Sequence, residues 1–423
     1  MKMEGALARR LGTGDAVVIG LGSMVGAGVF SAFAPAAAAA GSALLIGLAL
    51  AAGVAYCNAV ASAQLAAQYP TSGGTYVYGR ERLGEWWGFV AGWGFVVGKT
   101  ASCAAMALTF ASYAVPGSTW VQRLVGVAAV VLLTGANCLG VTRTAGLTRL
   151  LVAASLLALL VMVAAIVGGG ASASSLGGFH GGAYGVLQSA GLLFFAFAGY
   201  ARIATLGEEV RDPERTIPRA IPLALGIAVA IYAAVGISCL LVAGPEALAT
   251  STAPVATAVN AAGAAWALPV VRVGAAVASL GALLALIAGI GRTSLAMARN
   301  GDLPRKLAAI EPRHRVPARA ELAVGAAVSV LVLTTDLRGA IGFSSFGVLT
   351  YYAIANTAAF TQTAERRRWP RALNVAGALG CAVLAVALPL SAVVAGLAVF
   401  AVGVVGRLAF ARREAASPSA GHP

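Results

Sequence analysis

Acidic residues are scarce in this chain: 15 Asp and Glu in 423 positions, against 29 Lys and Arg. Charged residues of both signs make up only 10%, where a soluble domain needs about 25% to keep its surface wet. A large soluble globular protein is therefore excluded. Histidine is rarer still. The three residues, His180, His314 and His422, fall in loops or the tail, with no Cys/His or Ser/His/Asp grouping beside them. The cysteines, Cys57, Cys103, Cys138, Cys239 and Cys381, are odd in number, form no CxxC pair and lie inside apolar runs. They read as small buried hydrophobes, not disulfides or metal ligands. No phosphate-binding GxxxxGK[ST] loop is present, so nothing points to ATP-driven work. An enzyme is not expected, and neither a metal nor a cofactor is called for.

What the chain has is apolar length. Hydrophobic residues reach 59% and the mean hydropathy is +0.86. Runs of 20 and more apolar residues recur, the length that crosses ~30 Å of hydrocarbon at ~1.5 Å per residue. Reading them between charged or Gly/Pro punctuation predicts about twelve spans: 15–35, 41–68, 84–113, 122–140, 146–168, 184–210, 217–243, 267–298, 319–335, 341–364, 371–388 and 391–411. No soluble domain separates them. The first span is interrupted by glycines and lacks a small-residue cleavage site, so it reads as a retained helix.

The formal charge of +14 raises the question of nucleic acid. Sorting the cations by loop answers it. With the N-terminus inside, 24 of the 29 fall on one side, leaving Lys99, Arg123, Arg202, Arg272 and Arg338 elsewhere. That asymmetry is the positive-inside rule and predicts both termini in the cytoplasm of a cell-membrane protein. A nucleic-acid binder would gather its charge on one soluble face. The expected surroundings are a lipid bilayer and, at most, a second copy: a monomer or homodimer.

Two spans share an anomaly. In the first, Gly20, Gly22, Gly26 and Gly28 interrupt an apolar helix. In the sixth, the run FFAFAGYARIATLGEEV sets Gly199 and Arg202 in mid-span. Each glycine costs about 1 kcal/mol against alanine in a helix interior, so a cluster marks a place to unwind. Freed backbone groups must then line a cavity or bind something, because lipid does not satisfy them. Alternatively, the glycines serve close helix packing. Five spans separate the two interruptions, so a second repeat would be inverted relative to the first. That pattern points to a transporter with its site at two broken helices.

Four motifs carry a resemblance: GSMVGAGVF at 22–30, YPTSGGTYVYGRERLG…GFVAGW from Tyr69 to Trp93, FFAFAGYARIATLGEEVRDPERTIPRAI at 194–221, and RTSLAMARNGDLP at 292–304. In order and at these spans they resemble the amino acid–polyamine–organocation (APC) superfamily of permeases, over about residues 14–364. The resemblance implies an all-α polytopic LeuT-type fold, with helices 1 and 6 discontinuous. It divides the chain into a cytoplasmic N-terminus (1–14), a first inverted repeat of five helices (15–168), a second (184–364), two further helices (371–411) and a cytoplasmic tail (412–423). It implies a secondary transporter of amino acids or related amines, proton-coupled or exchanging one substrate for another; a non-transporting sensor of the same fold is the competing class.

The start of a half-helix exposes N–H groups that suit a carboxylate, here Gly26, Ala27 and Gly28 beside Ser23. Carbonyl ends at Met24, Phe195 and Ala198, next to Gly199, suit an ammonium; the family places the substrate's carboxylate and amine at these positions. Ala27 stands where a serine or threonine is common. Phe195 aligns with a gating aromatic of the family, or is an ordinary core residue. Ala201 replaces a frequent Glu or Asp, which favours neutral amino acids. The family's helix-5 lysine is absent, with Ser155 in its place, and residues 280–291 offer no hydroxyl for sodium. Lys99, halfway along span 3, is left as the coupling or specificity candidate: it exchanges a proton, contacts an anionic substrate group, or snorkels to an interface. Glu208, Glu209 and Arg292 are candidates for an inner gate, or form ordinary solvated pairs.

Overall fold

The computed structural model describes residues 11–70, 73–140, 145–168, 181–206 and 209–416. Helices account for nearly all of it: α1 (Thr13–Met24), α2 (Ala27–Ser31), α3 (Phe33–Ala40), α4 (Leu44–Gln68), α5 (Thr75–Leu83), α6 (Glu85–Ala114), α7 (Thr119–Cys138), α8 (Ala145–Gly168), α9 (Gly182–Phe197), α10 (Ala201–Ala204), α11 (Pro213–Thr250), α12 (Pro254–Ala261), α13 (Leu268–Arg299), α14 (Ala318–Thr334), α15 (Leu337–Phe360), α16 (Arg371–Ala387) and α17 (Leu390–Ala416). The chain is a polytopic all-α membrane protein.

Nine helical stretches among the described residues are long and apolar enough to cross a membrane, and Arg371–Ala387 is a shorter apolar helix. Sequence reading expects about twelve. The difference falls on α14 and α16, each 17 residues long, and on α15, where burial explains it. α15 carries Ser344, Ser345 and Asn356, all at 1% exposure or less, packed against protein instead of lipid. A helix enclosed by its neighbours has no need to be apolar throughout. Helices at the rim show the opposite character. Leu132 on α7, Leu160 on α8 and Val402 on α17 are largely exposed, as lipid-facing side chains are.

The centre of the bundle is made by α6, which packs along α15 and α13, by α1, which packs against α11 and the helix-6 turn, and by α9, which packs against α4, α3 and α2. The packing of α9 depends on missing side chains. A Cβ on Gly28 would meet the Ala196 Cα at 2.6 Å, and one on Gly47 would meet the Ser189 hydroxyl at 2.8 Å. Small residues let backbones approach where no side chain fits between them. The seventh helix, α11, turns sharply at Gly244, whose φ of 72° is open to glycine, and Pro245 follows.

Candidate functional site

Helix 1 is broken. α1 ends at Met24, Val25 and Gly26 leave helical geometry (Gly26 φ −109°, ψ −140°), and α2 restarts at Ala27. This gap is where the glycine cluster predicts it. In helix 6 the interruption is milder than sequence reading suggests. The chain stays right-handed and tightens into a 3-10 turn over Ala198–Tyr200, then resumes as α10 and ends near Thr205. A 3-10 turn shifts its hydrogen bonds from i+4 to i+3 and tilts carbonyls outward without a full break.

The two interruptions touch. A Cβ on Gly199 would overlap the carbonyl of Ser23 and lie 2.6 Å from the Met24 nitrogen. Tyr232 of α11 stitches them together, its hydroxyl 2.7 Å from the Met24 carbonyl and 2.9 Å from that of Ala196. The structure thus brings Ser23, Met24, Gly26, Ala27, Gly28, Ala198 and Gly199 to one place, all buried except the partly exposed Ser23 and Gly199. Phe195, one turn before the 3-10 segment, is also buried at 7% exposure.

The carbonyls here already have partners. Met24 O accepts from Tyr232 and, at 2.8 Å, from the Gly26 amide. Ala198 O accepts from the Lys99 ammonium at 3.1 Å and from the Tyr352 hydroxyl at 3.4 Å. Lys99, midway along α6 and 7% exposed, does not snorkel to an interface; it ties α6 to the helix-6 turn. Alongside the break, Gly22, Val25, Leu151, Val152, Ser155 and Ala278 surround a gap too tight to hold a water molecule. Ser155 donates to Leu151 O at 2.8 Å, within its own helix.

Of the inner-gate candidates, Glu208 lies outside the described residues. Glu209 and Arg292 each lie close enough to Arg202 for it to feel their charges. The Arg202 guanidinium donates to the Thr205 hydroxyl at 3.3 Å, one turn on. The backbone beside Glu209 is fixed differently: Leu11 N donates to Glu209 O at 3.1 Å and Arg211 N to Leu11 O at 2.8 Å, so the N-terminal segment is strapped to the end of helix 6.

A stronger ionic cluster sits at another point of the same face, and sequence reading misses it. Asp302, in the loop after α13, accepts from the Tyr76 hydroxyl at 2.7 Å, Arg80 at 3.1 Å and Arg407 at 2.9 Å. Glu85 completes it, 2.9 Å from Arg80, and Arg407 stacks over Trp86 and Phe89. One buried carboxylate clamps three segments distant in sequence: α5, the loop after α13 and α17. Burial first, then the Asp302 charge, pushes the Tyr76 hydroxyl up to about 12. The overlooked signal was the acidic residue itself: in so carboxylate-poor a chain, an Asp flanked by turn residues needs a partner.

Also missed was a polar seam between α4, α15 and α16. Asn356 donates to Asn58 at 2.6 Å and to the Tyr352 carbonyl at 2.9 Å, and the Cys381 thiol lies 3.3 Å from the Asn58 carbonyl oxygen. Lower down, Gln362 donates to Gln68 at 2.7 Å. Cys381 is thus a donor in a polar network, not the inert hydrophobe that its surroundings in sequence suggest. Among the described residues no group of three or more His, Cys, Asp or Glu is placed to hold a metal.

A bundle of apolar helices, two of them interrupted at one buried point with their backbones in contact, defines a membrane permease. The family follows from comparison: residues 11–409 match the model of the amino acid permease family, and the chain belongs to it. It is 60% identical over 400 residues to an uncharacterized transporter of Mycobacterium tuberculosis (strain ATCC 25618 / H37Rv), a match covering 94% of this chain and 90% of that protein. The branched-chain amino acid permease BcaP of Bacillus subtilis (strain 168) is 24% identical over 395 residues, covering 88% and 85%. Cationic amino acid transporter 4 of Homo sapiens is 30% identical over 381 residues, covering 84% of this chain and 60% of its own length.

Proposed function

We propose that this protein is a secondary transporter that carries amino acids across the cell membrane by alternating access, with neutral zwitterions favoured and protons as the coupling ion. One observation carries the reading: the open break of helix 1 at Val25–Gly26 is pressed against the 3-10 turn of helix 6 at Gly199. In this reading the amides of Gly26, Ala27 and Gly28 receive the substrate carboxylate, with Ser23 beside them, and the carbonyls of Met24, Phe195 and Ala198 receive its amine, with Gly199 leaving room. The repeats are residues 15–168 and 184–364, twelve helices cross the bilayer, and both termini are cytoplasmic.

One feature supports the neutral preference: Ala201, where a carboxylate is common in the family, is buried at 6% exposure and offers no charge to a cationic side chain. Names of relatives leave both classes in view, since one is a branched-chain permease and another a cationic transporter.

Uptake of labelled leucine and arginine into liposomes containing the purified protein tests this. Accumulation of leucine above arginine is expected. Binding with no accumulation makes the protein a sensor, and uptake that needs amino acid on the far side makes it a substrate exchanger.

A further inference from the structure

At the Ala198 carbonyl this structure holds the Lys99 ammonium where the reading above seats the substrate's own. A carbonyl oxygen has two lone pairs. At Ala198 one faces Lys99 at 3.1 Å and the other Tyr352 at 3.4 Å. A substrate ammonium arriving there finds both directions occupied, and it finds a second cation within hydrogen-bond range of the same atom. Like charges that close strongly disfavour each other. Loss of one proton removes the conflict, and on the lysine it does so without altering the substrate.

Among the described residues, no counter-charge beside Lys99 softens this conflict. Cys103, one turn along α6, is the titratable group beside it on its own helix. α15 brings Tyr352, with Tyr200 stacked on it from helix 6 at 5.1 Å. Among the helices packed against α6, the segments α2, α7, α13 and α15 contain no Asp or Glu; their cations are Arg123 on α7, Arg272, Arg292 and Arg299 on α13, and Arg338 on α15. On α14, Glu321 lies against Gly291, near Arg292. The α5 charges and Arg407 of α17 belong to the Asp302 cluster or to the loops beside it.

We propose that the Lys99 proton and the substrate ammonium are alternative occupants of the Ala198 carbonyl, so that binding an amino acid expels a proton and transport runs as amino acid/proton exchange. The inference rests on the substrate pose proposed above. The step balances simply: the N–H bond of the Lys99 ammonium breaks, its electron pair stays on Nζ, and the proton passes to water on the side from which the substrate entered. After release on the far side, Lys99 takes a proton there and re-forms the tie to helix 6. One proton then moves opposite to each amino acid, which directs the proton gradient toward export of a zwitterion.

Calorimetry on the purified full-length protein with leucine, and with arginine as the cationic comparison, tests this at neutral pH in two buffers of different ionisation enthalpy. The expected result is release of about one proton per leucine bound, with affinity rising about tenfold per pH unit. Lys99→Gln and Lys99→Met should bind leucine with no proton release and no such pH dependence. Melting temperatures check that both variants fold, and the wild-type protein alone decides the stoichiometry if they do not. Binding without proton release, or with proton uptake, overturns the exchange and leaves the transport reading standing. Undiminished release in a folded Lys99→Gln protein overturns the role of the lysine. If neither leucine nor arginine binds, the substrate pose and this inference fall together.

Discussion

Substituting Gly199 tests the contact on which the site depends. An alanine methyl there would overlap the Ser23 carbonyl and stand 2.6 Å from the Met24 nitrogen. Both obstacles are backbone, so no side chain can rotate away, and the helices must separate. Overpacking costs about 1–3 kcal/mol where neighbours can yield, and a backbone obstacle belongs at the upper end, near 3 kcal/mol. Alanine regains up to about 1 kcal/mol of helix preference over glycine. The net loss is then about 2 kcal/mol, a factor of roughly 30 in the folding equilibrium. Gly226→Ala and Gly289→Ala are the controls, because a Cβ at either meets nothing within 4 Å. They should hold or slightly raise stability. Gly28→Ala should follow Gly199→Ala, since its methyl would lie 2.6 Å from the Ala196 Cα. Thermal unfolding in detergent orders the four variants, and leucine uptake into liposomes reads the site. If Gly199→Ala melts with the controls and transports as they do, the backbone contact between the two broken helices is wrong, and the substrate pose falls with it.

Three further outcomes follow from named contacts. Tyr232→Phe keeps the ring against Phe197 but removes the hydroxyl shared by Met24 and Ala196; a loss of about 1–3 kcal/mol is expected, read as a lower melting temperature, and an unchanged one removes the stitch. Asp302→Asn keeps the volume but strips the charge from a carboxylate whose side chain is 2% exposed and bonded to two arginines. Breaking a buried pair costs about 3–5 kcal/mol, so its melting temperature should fall well below that of Glu85→Gln, whose carboxylate is 72% exposed; equal effects would refute the clamp. Tyr76 is held protonated in the fold, up to about pH 12. A raised folded-state value contributes stability that is complete below the ordinary tyrosine range, near pH 10, and is lost as pH rises through about 12. Melting temperature should therefore decline across that window, less steeply in Tyr76→Phe; identical alkaline slopes would show that Tyr76 does not contribute.

The parts of this molecule legible in sequence are those fixed by local chemistry. Apolar run length locates the helices because the bilayer demands it, and the glycine cluster locates the break at Val25–Gly26 because four glycines in nine residues make a helix weak there. Helix 6 was harder to read. Gly199 and Arg202 marked the right place, but a single glycine permits either an open break or a 3-10 turn, and the choice went to the close approach of Ser23, a residue 176 positions away. α15 reads as a span although it falls outside the clearly membrane-crossing set, because polar residues in a span show only composition, not whether lipid or protein surrounds them.

The groups that close the site were invisible for the same reason. Tyr232 lies in the seventh span and Tyr352 in the tenth, and nothing in either run says that their hydroxyls converge on carbonyls of helices 1 and 6. A tyrosine inside an apolar span does carry a general signal, since its hydroxyl must find an acceptor once water is removed. The signal names the need without naming the partner. Lys99 is the sharpest case. Its charge in mid-span demanded a polar neighbour, and the carboxylate-poor sequence excluded the usual one. What remained was a backbone carbonyl, and the carbonyls free to serve were those of the interrupted helices. The scarcity of acid in this chain and the breaks in its helices are therefore linked: the backbone supplies at Ala198 the negative pole that, among the described residues, no side chain nearby provides.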